Sequence, residues 1–377
     1  MTFQRYLARE ALDQHSVDMR QFIDFRLSTL PNGSRLIDAH NSSGLTFTLL
    51  PDRGMDIWSA HYKGIPLTWL SQGSPHAPDW GEGWLRLFNG GLLTTCGLTH
   101  VGPPETDDTS GEKRDIHGNF TRLRAERINT SGDWWDDRGT GDYYELNVES
   151  ALTEAILFGE QYRVQRIYTL ELGKPEIKIA TTVKNLSDQP QPLMLLHHFN
   201  LGYPLISEGT ELVTANAGVY PRDDRAKPGV DDWANYHAAT PGYPEQVFYH
   251  HPKTFPHAHK QIQSQWSKAL LRHQNFGLLF AWNTANQPYL SQWKNTRQGL
   301  YVCGVEPGNC IPEGQNTARR TKRLQYLEPG AEETFTCVLT IIEGESAMES
   351  TLAELATLNE KGAPAEHFRL DDYEKHE

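Results

Sequence analysis

Short apolar or β-branched runs alternate with turn signals from Phe25 to Leu70: FRLSTL, then PNGS, RLIDAH, NSSG, LTFTLL and MDIWSAHY. Runs of this length separated by turn residues predict a β-meander. After a polar, glycine-rich stretch the pattern returns in YYELNVESAL, YRVQRIYTLEL, EIKIATTVKNL and QPLMLLHHFNL, separated by Gly, Pro, Asn and Asp, so strands continue past residue 200. Turn residues dominate between Ser207 and Thr254 apart from ELVTA and QVFYH. A long irregular segment in a compact chain is functional or peripheral, and part of this one is expected to border a site. KALLRHQ, FGLLFAWNT, GLYVCGVEP, RLQYLEP and ETFTCVLTII then resume the strand pattern, and MESTLAELATLNEKG reads as a helix by its leucine spacing and closing glycine. The first twenty residues allow another short helix.

No repeat, low-complexity tract or break in composition marks a linker. The expectation is an all-β chain of many antiparallel strands in two large packed sheets, forming one domain over residues 1–377. Its core would run from about residue 25 to 345, with peripheral helical or irregular segments at 1–24 and 346–377.

The net charge is -13, from 35 Lys+Arg against 48 Asp+Glu. That balance leaves no basic footprint for nucleic acid and would be repelled by an anionic membrane. A small uncharged ligand suits it better. The start, MTFQRYLARE, lacks the apolar run of a secretory signal, and no stretch is apolar for long enough to span a bilayer, so a cytoplasmic location is expected. Cys96, Cys303, Cys310 and Cys337 form no CxxC pair and read as reduced thiols, small buried hydrophobes rather than nucleophiles. The chain is rich in Trp, Tyr and His, whose faces and edges suit the C–H faces and hydroxyls of sugars, although aromatics more often serve the core.

Four segments place charged or imidazole groups beside glycines at the end of a run that otherwise looks like a buried strand: PDRGMDI, GGLLTTCGLTHVGPP, DIHGNFTRL, and the pair LLHHFNLGYP with YVCGVEPGN. In order and number these motifs resemble the aldose 1-epimerase (galactose mutarotase-like) superfamily, and within it an uncharacterised branch carrying PDRGMDI, GGLLTTCGL, HGN, HxNxGYP and GxEP. The resemblance covers roughly residues 25 to 345. It implies a galactose mutarotase-like β-supersandwich of large antiparallel sheets with a few short helices, holding a shallow carbohydrate pocket. It also implies a cofactor-free isomerase with a histidine acid and a glutamate base. The matching positions are His198, in His198-Phe199-Asn200, and Glu306, in Gly304-Val305-Glu306-Pro307. His197 is a rival for the acid. His117, in Ile116-His117-Gly118-Asn119, matches a histidine that meets the sugar in mutarotases, and Arg53, Arg86, His100 and Glu245 are further candidates for hydroxyl contacts.

The chemistry explains the pairing. Opening a hemiacetal ring takes a proton from the anomeric hydroxyl while another is delivered to the departing ring oxygen. Glu306 would take the first, His198 would give the second, and the roles would reverse on reclosure. No metal, phosphate or nicotinamide is required.

Each residue also has a plainer reading. A glutamate at a strand end is usually a solvated turn residue. On a strand, His197 and His198 point to opposite faces, so only one can share the face of Asn200, which favours His198. The alternative for either is a buried histidine held by hydrogen bonds. Asp52 and Arg53 could form an ion pair that pins a turn, or Arg53 could place its fork on vicinal hydroxyls. Trp282 and Trp293 sit among apolar strand residues, which points to core packing. His250, His251, His257 and His259 fall close together and raise a second possibility, a metal-dependent sugar isomerase. Two prolines and two lysines in that stretch instead favour a solvated loop. A third possibility is a sugar-binding module without catalysis. The identity of the sugar, including whether it is acidic or phosphorylated, and the choice between monomer and homodimer are open at this level.

Overall fold

The computed structural model describes residues 6–16, 18–73, 75, 81–137, 141–259 and 262–370. The expected meander is an antiparallel sheet in sequence order: Ile23–Thr29, Arg35–Asn41, Leu45–Leu50, Asp56–Tyr62 and Ile65–Pro66. Its pleat sorts the side chains: Leu45, Phe47 and Leu49 are buried while Thr46 is exposed. Phe47 meets Phe25 edge-on at 6.1 Å and Tyr168 of the second sheet at 6.3 Å between centroids, so the meander closes over a shared core.

The second sheet runs, neighbour to neighbour, through Gln325–Leu327, Gln191–Leu201, Leu300–Gly308, Tyr289–Arg297, Gln246–His259, Ile262–His273, Phe276–Asn283, Glu332–Glu343, Glu176–Asn185, Gln161–Glu171, Gly141–Ala155 and Arg127–Asp137. One strand turns this array into two layers. The first half of Gln246–His259 pairs with Tyr289–Arg297, and its second half with Ile262–His273. The array therefore folds back on itself, and Phe199 of one layer meets Phe280 of the other at 5.3 Å. Trp282 is fully buried between them with its Nε1 donating to Gln287 O at 3.1 Å, the core role expected of it.

This shared strand corrects the loop reading of the histidine-rich stretch. Pro252 sits opposite Asn216, where the ladder of the neighbouring strand Asn216–Pro221 shifts register. A residue without an N–H is tolerated where a ladder is interrupted, so Pro252 does not end the strand, and Pro256 lies opposite Gln265 in the ladder beyond it.

The helix Glu345–Lys361 lays Met348 and Leu355 against Leu270, Leu279 and Ile342 on the outside of one layer, and a short helix, Arg9–His15, lies near the start. All four cysteines are buried and unpaired. Among the described residues no helix is long and apolar enough to cross a membrane.

Candidate functional site

Three neighbouring antiparallel strands form the floor of the site: Leu93–Leu98, Gln191–Leu201 and Leu300–Gly308. On the middle strand His198 and Asn200 point to one face and His197 and Phe199 into the core between the layers. Phe199 lies opposite Val305 and Asn200 opposite Gly304, and the same register carries Glu306 to the face of His198. Their side chains meet there, with His198 Nε2 3.1 Å from Glu306 Oε1. Glu306 is only 3 % exposed and its strand runs on to Gly308, so the solvated turn reading does not hold. Gly304 makes this approach possible: a Cβ there would stand 2.3 Å from Glu306 Oε1 and 2.8 Å from the Cβ of Trp293.

Burial pushes the Glu306 carboxyl up to about 8; Glu245 adds to the rise and Arg222 opposes it. Burial also pushes the His198 imidazole down to about 4, offset in part by Asn200. Both groups are driven towards their neutral forms. A pair this close titrates as a unit, and between those limits the two groups share one proton between them.

Rings surround the pair. His198 packs edge-on against Trp293 at 5.7 Å, Phe88 at 6.2 Å and His117 at 6.3 Å between centroids. Trp69 joins Trp293 to Phe88, at 5.8 and 5.9 Å, and Trp84 joins Phe88 to His117, at 4.6 and 5.0 Å. Glu245 fixes the Trp293 wall: Oε2 accepts from Trp293 Nε1 at 3.0 Å and Oε1 from Arg222 Nη2 at 3.1 Å. Trp293 is thus half-buried on the site, which corrects the core role expected of it. Arg222 and Glu245 come from the irregular Ser207–Thr254 segment, part of which does border the site.

The Ile116-His117-Gly118 turn is set by close backbone approach. Gly118 has φ +72, and a Cβ there would lie 2.5 Å from the carbonyls of Gly97 and His100. His117 N donates to Gly102 O and its own carbonyl accepts from Gly97 N, so the ring is presented beside Trp84 and His198. Burial, with His198, His100 and Arg222 adding to it, lowers the His117 imidazole to about 3.

The other sequence candidates lie elsewhere. His197 is fully buried in the core, with Nδ1 3.0 Å from Gln287 Oε1. Arg53 does not pair with Asp52, whose carboxylate is taken by Arg35 and Arg124. Its Nη2 donates instead to Leu87 O at 2.8 Å, next to Phe88, and its buried Nε and Nη1 have no partner. His100 is fully buried, with Nε2 2.8 Å from Pro103 O and Nδ1 3.2 Å from Glu105. Arg86 projects outward from the short helix Trp84–Leu87, 3.4 Å from Glu82 with its side chain 81 % exposed. The structure thus joins Glu306, His198, His117 and Glu245 around one point, places Arg53 behind its wall, and keeps Arg86, His100 and His197 away from it.

Sequence reasoning missed Arg222, Trp69, Phe88 and Trp84. The signal for Arg222 was its place in Tyr-Pro-Arg-Asp at the close of a strand run; Trp84 and Phe88 lie in the short segment that leads to the Gly90-Gly91 pair.

His250 and His251 alternate across their strand. His250 lies in the core, 3.2 Å from Gln292 Oε1, and His251 stacks on Phe368 at 3.8 Å between centroids. The side chains of His257 and His259 lie outside the described residues. Among the described residues no three His, Cys, Asp or Glu side chains are grouped as a metal site.

Comparison with solved structures places the fold. A "putative aldose 1-epimerase" from Klebsiella pneumoniae superposes with a TM-score of 0.77 at 23% identity, over 90% of this chain and 88% of that one. A galactose mutarotase-like protein from Clostridium acetobutylicum gives 0.56 at 15% identity, over 86% and 100%. A galactose mutarotase-like protein from Lactobacillus casei gives 0.52 at 14% identity, over 81% and 99%. The chain has the galactose mutarotase-like fold that the motifs implied. It belongs to the family described as Domain of unknown function (DUF4432), whose model matches residues 31–341. No curated protein matches it.

Proposed function

We propose that this protein is an isomerase of the aldose 1-epimerase type, interconverting the α and β anomers of a free aldose or close derivative by acid/base ring opening. The observation that carries this reading is the buried His198–Glu306 pair, 3.1 Å apart, with the rings of Trp293, Phe88 and His117 packed against His198. A hemiacetal entering between the two groups would give its anomeric proton to Glu306 as carboxylate and receive one at the ring oxygen from His198 as imidazolium. The aromatic walls would meet the C–H face of the sugar. His117, whose Nδ1 is buried without a partner, would take a hydroxyl, while Arg53, behind the wall, would hold the Leu87–Phe88 backbone rather than the sugar. Both oxygens of Glu245 are occupied, so its part would be to hold Trp293 rather than a hydroxyl. The fold shared with mutarotase-like proteins supports the class; the residue roles rest on the geometry.

The test is anomer exchange followed by NMR saturation transfer on a panel of free pentoses and hexoses, with uronates and phosphates beside them, using metal-stripped protein and Glu306→Gln. The expected outcome is accelerated exchange for one sugar class, reduced in the variant by at least about 100-fold, the range that acid/base groups contribute. Full activity in a folded Glu306→Gln protein would overturn the roles given to the pair.

A further inference from the structure

Asp115 opens the turn that presents His117, and both oxygens of its carboxylate are engaged. Oδ1 accepts from Ile116 N at 2.8 Å inside the turn, and Oδ2 accepts from Trp84 N and from Arg122 Nη2, each at 2.8 Å. The Asp115 carbonyl accepts from Gly118 N at 3.2 Å and closes the turn. Arg122, with 6 % of its side chain exposed, also donates from Nη2 to Glu82 O at 2.7 Å and from Nη1 to Asn119 Oδ1 at 3.2 Å. One ion pair thus grips the backbone on both sides of Gly83, its cation on the carbonyl of Glu82 and its anion on the amide of Trp84. Bonds in which one partner is charged are roughly twice as strong as neutral ones, which suits them to fixing a segment without regular secondary structure around it.

The gripped segment carries two rings of the site. Trp84 packs against His117 at 5.0 Å and against Phe88 at 4.6 Å between centroids, and His117 and Phe88 both meet His198. The far end of the segment is pinned separately, Leu87 O by Arg53 and Phe88 O by Ser71 Oγ at 2.6 Å. Asp115 therefore reaches His117 by two routes, along the chain through Ile116 and across space through the Trp84 ring.

We infer that Asp115 and Arg122 are positioning residues, a pair that locks the Trp84–Phe88 wall to the His117 turn and so fixes the rings that face His198. The meaning of this lock for catalysis rests on the function proposed above; the coupling of wall to turn does not. The pair acts through the groups it holds, since its bonds run to backbone atoms and to Asn119. The planar fork of an arginine is needed at 122, because a lysine ammonium keeps the charge but is a single point on a flexible stem and cannot span Asp115, Glu82 and Asn119 together.

The experiment is 19F NMR of the full chain labelled with 5-fluorotryptophan, which reports the wall without turnover. Trp84→Phe assigns the Trp84 resonance among those of ten tryptophans, and Trp282, buried between the layers and assigned in the same way, reports whether the core is intact. In Asp115→Ala the Trp84 resonance is expected to shift or broaden while that of Trp282 stays in place. In the same variant kcat/KM for anomer exchange should fall by about 100-fold, as an ångström of misplacement can cause. Most of that loss should lie in KM, because the wall meets the sugar and its transition state alike. Arg122→Lys should show the same changes to a smaller degree, and it decides the question where Asp115→Ala does not fold. An unmoved Trp84 resonance in a folded variant overturns the inference, as does an unchanged KM in an active one, since a role confined to stability would lower Tm and leave both alone. A Trp84 resonance that moves in a protein whose wild type accelerates no anomer exchange would support the coupling and remove the mutarotase reading instead.

Discussion

At the scale of single residues, Gly304 governs how the site is built. The Glu306 carboxylate lies back over its α-carbon, and a methyl group there would stand 2.3 Å from Oε1, closer than nonbonded atoms approach. Gly304→Ala should swing the carboxylate away from His198 and push against Trp293 on the paired strand, whose Cβ would stand 2.8 Å away. Anomer exchange should then fall by about 100-fold, as misplacement of a catalytic group by an ångström can cause, with an unchanged circular dichroism spectrum. The pair also sets a pH window for kcat/KM. Above about 8 it loses its proton and has no acid; below about 4 it gains a second and has no base. The expected profile is a bell whose limbs belong to the pair rather than to either residue. A profile flat through pH 9 would show that the pair does not carry the chemistry. His198 and Glu306 were legible through the motifs that resemble the mutarotase-like superfamily, whereas the residue pattern alone gave Glu306 as a strand-end turn residue. Arg222 was not, because a guanidinium in a turn-rich stretch looks like any solvated charge until the chain folds it against Glu245.

At the scale of elements, period-two alternation carried most of the information. It gave the separation of His197 from His198, which follows from the pleat alone, while the meander was read from apolar runs punctuated by turn residues. It failed at 250–259, where two prolines outweighed the alternation although Pro252 stands where a ladder is broken and Pro256 is carried within one. It could not reveal a cross-strand ion pair either. Asp56 and the fully buried Arg166 meet at 2.7 Å, with Thr95 bonded to both, tying Asp56–Tyr62, Leu93–Leu98 and Gln161–Glu171 together beneath the site. Arg166→Met leaves Asp56 without its cation in a dry environment and should lower unfolding stability by about 3–5 kcal/mol in urea titration. The reverse outcome, a neutral or stabilising change, would show that water reaches Asp56.

At the scale of the whole molecule, the fold class was legible because many short strands with turn signals between them have few ways to bury their apolar faces other than as packed sheets. The sandwich's closure through a strand belonging to both layers was not, since each half of Gln246–His259 reads locally as an ordinary strand. The walls of the site were hidden for a related reason: Trp69, Trp84 and Phe88, Arg222 and Glu245, and Trp293 come from three widely separated parts of the chain and meet only after closure.

The proposed acid and base stand on neighbouring strands of one continuous hydrogen-bonded sheet, and that would limit how the protein could admit a ligand. Their backbones cannot part without breaking rungs such as Phe199–Val305, so no hinge between domains opens this gap. What can yield is the Glu306 side chain, turning about its own bonds over the bare surface of Gly304, together with the rings above it. Such rotations take nanoseconds at exposed positions and are slowed by packing, yet they need no domain movement. The gate of this site is therefore a torsion angle, and its hinge is the hydrogen atom that distinguishes glycine from every other residue.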